Sequence, residues 1–236
     1  MSARRGRLDR LLAKALGIST DDVRPLLAQG RVTVDGRVAR TREEIVDGFA
    51  SVMVDGQQIQ AQQPAYLMLH KPCGVLSATR DARHPVATAL IHHPAVASLH
   101  IAGRLDLHAS GLLLLTNDGR WSRAISDPVN GVSKQYLVTL RDPVQEDCVA
   151  AFAAGMHFPF EDIVTRPARL EILDERLARV TLQEGRYHQL KRMFGRFRNP
   201  VLGIHRIAIG ALTLDSKLAP GQWRELSPEH AAGIMT

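Results

Sequence analysis

HIAGRLDLHASGLLLLTNDG, residues 100–119, is the stretch on which the reading of this chain turns. Four leucines, Leu112 to Leu115, lie between Ser110-Gly111 and the turn-forming Thr116-Asn117-Asp118-Gly119. A run this short, bounded by glycines, predicts a buried strand, since a membrane helix needs about 20 apolar residues. Asp106 stands just ahead of that strand, two residues after Arg104. A carboxylate at the edge of a buried strand, with a cation beside it, is a candidate working group. An ordinary loop salt bridge explains the pair equally well.

Outward from this stretch the chain alternates strand and helix patterns. Upstream, Tyr66-Leu67-Met68-Leu69 reads as a buried strand running into His70-Lys71-Pro72-Cys73-Gly74, a turn from which Lys71 projects. Residues 80–98 hold prolines and two adjacent histidines, and predict an irregular segment with one short helix. Downstream, a short helix is expected over 119–126 and an alternating strand over 134–140. An amphipathic helix follows over 143–154, then strands near 168–173 and 178–183, and two more at 201–207 and 209–214. The fold class expected is α+β.

The N-terminal part has its own pattern. Leu8, Leu11, Leu12 and Ala15 form one helical face that Gly17 ends. Ser19, with Asp22 three positions on, caps a second helix. RVTVDGRVA (31–39) and SVMVDGQQI (51–59) are two Asp-Gly hairpins. The polar, glutamine-rich residues before Tyr66 read as a linker. The organisation expected is thus a small module at 1–58, a linker at 59–65 and a larger domain at 66–236.

Composition narrows the function classes. In 236 residues, 30 Lys+Arg against 24 Asp+Glu give a net charge of +6, so an anionic partner is expected, nucleic acid being the commonest. The only cysteines, Cys73 and Cys148, make neither a disulfide framework nor a metal-ligand spacing, which favours a reducing, cytoplasmic setting. His92 and His93 are adjacent and lack a third ligand at a useful spacing, so no metal is expected. The N-terminus carries Asp9, Arg10 and Lys14 where a signal peptide would be apolar. No membrane segment is expected.

EGRYHQLKRMFGRFRNPVLGIHRIAIGALTLD, residues 184–215, completes the picture. From Arg186 to Leu214 there are six Lys/Arg and no acid, interleaved with Tyr187, Phe194 and Phe197. Cations for phosphates and aromatics for stacking suit an RNA surface. Leu190, Met193, Phe194 and Phe197 also share a helix face, so some of these aromatics, Phe194 first, read as core.

Several motifs carry a resemblance to the pseudouridine synthases. They are HKPCGV (70–75), AGRLDLHASGLLLLTNDG (102–119), KQYLVTL (134–140), EGRYHQLKRMF (184–194) and IHRIAIGALTLD (204–215), five in order over nearly the whole chain. RLDRLLA (7–13) and GRVTVDGRVA (30–39) resemble the S4 RNA-binding domain, although Ser19-Thr20 stands where that family has Ser-Arg. His84-Pro85, Tyr187-His188-Gln189 and Ile204-His205-Arg206 resemble the branch acting on small-subunit (16S) ribosomal RNA. Val86-Ala87 departs from the Thr-Val pair common there.

The resemblance implies a small S4-like domain followed by a catalytic domain with a mixed, mostly antiparallel sheet flanked by helices. It implies isomerisation of a uridine to pseudouridine in 16S ribosomal RNA without a cofactor; a monomer is the default expectation. Asp106 falls at the catalytic aspartate position, Tyr136 at the active-site tyrosine, and Lys191 at a basic position that pairs with the aspartate, where many relatives carry arginine. Arg104 is expected to hold the phosphate of the extruded nucleotide, and Ile204 to form an apolar wall of the pocket. Lys71, Arg186, Arg192 and Arg206 are expected to support the site or contact RNA. The alternatives are the sister activity on large-subunit (23S) ribosomal RNA and a non-catalytic RNA-binding assembly factor.

Overall fold

The computed structural model describes residues 5–235, so residues 1–4 of the expected N-terminal module and Thr236 of the larger domain lie outside the described residues. The chain forms two units, one reaching to Ala65 and taking in Asn117–Gly119, the other holding the remainder.

The first unit runs β1 (Gly6–Arg7), α1 (Leu8–Leu16), α2 (Val23–Ala28), β2 (Val32–Val34), β3 (Arg37–Val38), β4 (Ile45–Val46), β5 (Val52–Val54) and β6 (Gln57–Gln60). Helix α1 buries Leu8 and Leu12 and ends at Gly17 in the left-handed conformation, φ 69°. Ser19 and Asp22 bond each other reciprocally: the Asp22 carboxylate accepts from the Ser19 amide at 3.0 Å, and Ser19 Oγ accepts from the Asp22 amide at 3.2 Å. Residues 20–22 are thereby held in a turn, and α2 begins only at Val23, later than the Ser19 cap predicts. Both Asp-Gly pairs make the expected hairpins. Asp35-Gly36 and Asp55-Gly56 all have positive φ, the geometry that matches strand twist. The four-stranded order is β3-β2-β5-β6. Because β6 reaches Gln60, the strand takes the first two residues of the stretch expected as linker. Leu8, Leu12, Val23, Leu27, Val32 and Val52 centre this unit's core.

The second unit runs β7 (Tyr66–Lys71), β8 (His100–Ala102), β9 (Ala109–Thr116), α3 (Gly119–Ser126), β10 (Lys134–Leu140), α4 (Asp147–Ala154), β11 (His157–Phe158), β12 (Ile163–Val164), β13 (Arg169–Asp174), β14 (Leu177–Leu182), α5 (Gln189–Gly195), β15 (Val201–Ile209), β16 (Leu212–Thr213), β17 (Trp223–Glu225) and α6 (Pro228–Ala232). Nine strands make one sheet, ordered β13-β14-β10-β15-β9-β7-β17, with β16 on β15 and β8 on β9. The pairings are antiparallel except β15 with β9. This is the mixed α+β architecture with flanking helices.

Three boundaries differ from the sequence expectation. The helix of 143–154 starts at Asp147, the segment 80–98 holds two 3-10 turns (Ala87–Leu90 and Val96–Ser98), and β15 is a single strand to Ile209 before the left-handed Gly210. The leucine strand β9 is central, flanked by β15 and β7, and Leu112 to Leu115 are fully buried. Leu112 and Leu114 pack with Met68, Trp121, Ile125 and Ile209 on one face. Gly111 marks where β9 and β15 meet. A Cβ there would lie 2.3 Å from the Arg206 carbonyl oxygen, and its φ is +105°, so only glycine fits.

Candidate active site

The loop between β8 and β9, residues 103–108, delivers Asp106. Its shape is fixed from three sides by hydrogen bonds to its backbone. Ser77 Oγ donates to Leu105 O at 2.8 Å and accepts from Leu105 N at 3.0 Å. Gly74 N donates to Leu107 O at 2.9 Å. Arg206, 1% exposed, donates through Nη2 to Gly103 O (2.8 Å), through Nη1 to Arg104 O (3.3 Å) and through Nε to Leu112 O (2.8 Å). Lys71, 0% exposed, donates from Nζ to Pro72 O (2.9 Å) and Leu107 O (3.4 Å). Two buried cations from neighbouring strands thus grip the carbonyls of one short loop.

Of the two roles expected of Lys71 and Arg206, site support or RNA contact, burial leaves the first: both are enclosed by protein and hold the backbone of the Asp106 loop. A buried cation is stable only where enough acceptors replace its water, and these carbonyls do so. Burial pushes the Lys71 ammonium down to about 8, while the Cys73 and Asp106 charges oppose the shift and Arg206 adds to it.

Above this floor lies a cleft of about 300 Å³ in which Arg104, Asp106, Tyr136, Arg186, His188 and Ile204 converge. Tyr136 comes from β10, where it faces Arg206 on β15 and Val180 on β14 across the sheet. Its ring lies 6.0 Å below the Arg206 guanidinium carbon. Ile204, on the same strand as Arg206 and two residues before it, forms an apolar wall. Arg104 is exposed at the rim. The structure therefore brings together five of the nine residues expected at the site: Asp106, Tyr136, Arg104, Arg186 and Ile204.

The basic motif is arranged differently from its charge pattern. Glu184, 3% exposed, accepts from Gln189 Nε2 at 2.7 Å, Arg186 Nε at 3.0 Å and Arg166 N at 3.0 Å, and so ties together the turn before α5. Arg192 does not face the cleft. It pairs with Glu161 (Nη1 to Oε1, 2.7 Å) and lies 3.7 Å over the Phe158 ring, and the carboxylate raises its already high pKa. Its guanidinium is thus engaged by a carboxylate and an aromatic ring outside the cleft. Lys191, part-buried on the first turn of α5, makes no ion pair with Asp106 among the described residues. The basic side chain set against Asp106 is instead His188, with Nε2 3.6 Å from Oδ2.

His188 and Tyr187 are the site residues that a count of charges overlooks. His188 holds φ 49°, a left-handed conformation that costs a non-glycine residue on the order of 1 kcal/mol. Tyr187 stacks on it with ring centroids 3.9 Å apart and planes 21° apart. Both stand in the Tyr187-His188-Gln189 triplet, where the signal was the residues between the cations. Phe194, by contrast, is fully buried against Phe152, centroids 4.9 Å apart, as its helical spacing predicts. Among the described residues no group of three or more His, Cys, Asp or Glu is placed to hold a metal ion.

A carboxylate on a rigid loop, facing a buried aromatic ring and rimmed by arginines, suits a flat base joined to an anionic backbone. Known proteins point the same way. A family model described as RNA pseudouridylate synthase matches residues 65–195. Ribosomal small subunit pseudouridine synthase A of Pseudomonas aeruginosa is 48% identical, over 97% of this chain and 100% of its own length. The protein so described from Escherichia coli K12 is 41% identical, over 97% and 100%. A crystal structure of a pseudouridylate synthase superposes with TM-score 0.71 at 36% identity, covering 97% of this chain and 99% of the other. This chain belongs to the RNA pseudouridylate synthase family.

Proposed function

We propose that the protein converts one uridine of small-subunit (16S) ribosomal RNA to pseudouridine, with Asp106 as the catalytic carboxylate. The observation that carries this is the convergence of Asp106, from a loop held by two buried cations, and Tyr136, from β10, on a single cleft. Extended likeness to small-subunit synthases over 97% of the chain supports the choice of RNA.

The reaction is an isomerisation. The bond from uracil N1 to the sugar C1′ breaks, the base turns over, C5 bonds to C1′, C5 loses its proton and N1 gains one. Nothing is oxidised and no group is carried away, so the side chains suffice. Charge deficiency at C1′ as the base leaves is what a fixed carboxylate answers. Asp106 does so by attack on that carbon, by electrostatic stabilisation, or by taking a sugar proton. Tyr136 offers the ring on which uracil packs, and its hydroxyl serves as a proton partner for C5. Arg104 binds the phosphate of the turned-out nucleotide. Lys191 is the residue we retain as a supporting charge near the site, with His188 directly against the carboxylate.

The N-terminal unit, two helices and a small sheet, we take as an S4-like RNA-binding module that holds flanking RNA. We place the enzyme in the cytoplasm as a monomer. Its two free cysteines suit a reducing compartment.

The test is a map of pseudouridine in ribosomal RNA from cells with and without this protein. One site in small-subunit RNA should disappear, return with the wild type, and stay absent with Asp106→Asn. In vitro that variant should be slower by about 10³-fold or more. Loss from large-subunit RNA would move the substrate. Unchanged maps would favour a binding-only factor.

A further inference from the structure

Tyr187 is 76% exposed, although it sits at the heart of the basic motif. One side of its ring is backed by His188, and the residue lines two cavities at once. One is the Asp106 cleft. The other is an adjoining groove of about 370 Å³ that also involves Pro128, Ile163, Arg166 and Arg186. Tyr187 therefore separates a space that takes one nucleotide from a neighbouring space that nothing in the described chain fills.

The groove is not a plain cation site. Arg166 and Arg186 are set against Glu161 and Glu184, of which Glu184 accepts from Arg186 and Glu161 from Arg192. With the charges largely matched, a flat apolar surface remains as its means of recognition. Turning a uridine out of a folded strand also strips its neighbour of a stacking partner. A tyrosine ring already held parallel to an imidazole, with its outer face open, is built to replace that partner.

We propose that the Tyr187 groove is a second nucleotide subsite, in which the base adjacent to the target uridine stacks on the outer face of Tyr187. The proposal rests on reading the Asp106 cleft as the uridine site. It makes Tyr187 a substrate-binding residue acting through its ring rather than through charge. Because His188, on which Tyr187 stacks, has its Nε2 3.6 Å from Asp106 Oδ2, the turn that carries the subsite lies against the loop that carries the reacting carboxylate.

The test uses the full chain carrying Asp106→Asn, so that binding is read without turnover, and a transcript of small-subunit ribosomal RNA as the probe. Adding Tyr187→Ala or Tyr187→Leu should raise Kd about tenfold, and Tyr187→Trp should restore it. Failure of leucine to substitute separates stacking from simple burial of apolar surface. Plots of log Kd against log salt should shift in parallel, because no phosphate contact is lost. Melting curves should not move, since the ring is exposed. The proposal is overturned if the alanine variant binds within twofold of its parent, if leucine serves as well as tryptophan, or if the salt slope falls by about one. In parallel, the Asp106 protein with Tyr187 intact is assayed for pseudouridine on the same transcript. No product there would sink the proposed reaction, while the Kd series still decides the stacking.

Discussion

The support of the Asp106 loop, its floor, and the rim of the cleft both use cations, and they do opposite things. Lys71 and Arg206 are enclosed by protein, and their donors meet backbone carbonyls of the loop and its flanking strands. Arg104 stands exposed at the surface, where a phosphate can reach it, and Arg186 is exposed beside it with its Nε held by Glu184. The difference teaches that burial, more than residue type, decides whether a cation in an RNA enzyme addresses the RNA or the fold. Removing a buried cation strands its acceptors, whereas an exposed one is already solvated and costs little to keep. The floor should therefore govern stability and the aim of Asp106, and the rim should govern affinity.

The largest effect that would break this contrast is at Arg206. Replacing it with Met leaves the carbonyls of Gly103, Arg104 and Leu112 without their donor, and should cost about 3 kcal/mol or more, read as a lowered denaturation midpoint with lowered turnover. If Arg206→Met keeps its stability and loses only RNA affinity, the floor has been misassigned. Next is Lys71. Its folded pKa, about 8, lies below the ordinary lysine value of 10.5, so below pH 8 the folded state holds a proton it disfavours. Between pH 8 and 10.5 the unfolded chain binds more of that proton, and stability must rise with pH there. The stability of the wild type minus that of Lys71→Met should climb across that window by on the order of 3 kcal/mol. Lys134, also pushed down to about 8 by burial, titrates in both proteins and drops out of the difference. A flat difference would mean that Lys71 is not buried as a cation.

The smallest effects belong to exposed arginines and sharpen the rim. Arg104→Ala should leave melting unchanged, weaken RNA binding, and reduce the salt slope by about one. Arg192→Ala is the control. It breaks an exposed ion pair with Glu161, so it should leave the melting temperature nearly unchanged and leave the salt slope alone. Equal salt slopes for the two variants would erase the distinction between a cation that meets RNA and one that meets a glutamate.

The elements were legible where a short-range rule was decisive. The Asp-Gly hairpins, the Gly17 helix stop, the leucine strand and the buried Phe194 follow from local pattern. Boundaries slipped where a local rule competed with another: the Ser19–Asp22 bonds hold a turn where a helix was expected to start. At the site, Asp106, Tyr136, Arg104, Arg186 and Ile204 converge as their motifs imply. Arg192 does not, because Glu161, 31 residues earlier in the chain, claims it. His188 stands out in the sequence only as part of the Tyr187-His188-Gln189 triplet; its place against Asp106 was not legible, because the left-handed backbone it adopts is invisible in a string of letters.

What the sequence determined alone was composition, period and motif. These set an α+β chain, a basic surface, and one aspartate ahead of a buried strand. Only the tertiary structure decided which cations lie under that aspartate and which lie around it. The reason is physical. The cost of burying a charge depends on the acceptors that surround it, and those come from Gly103, Arg104 and Leu107 on a loop that meets Lys71 and Arg206 only when β7, β9 and β15 pair.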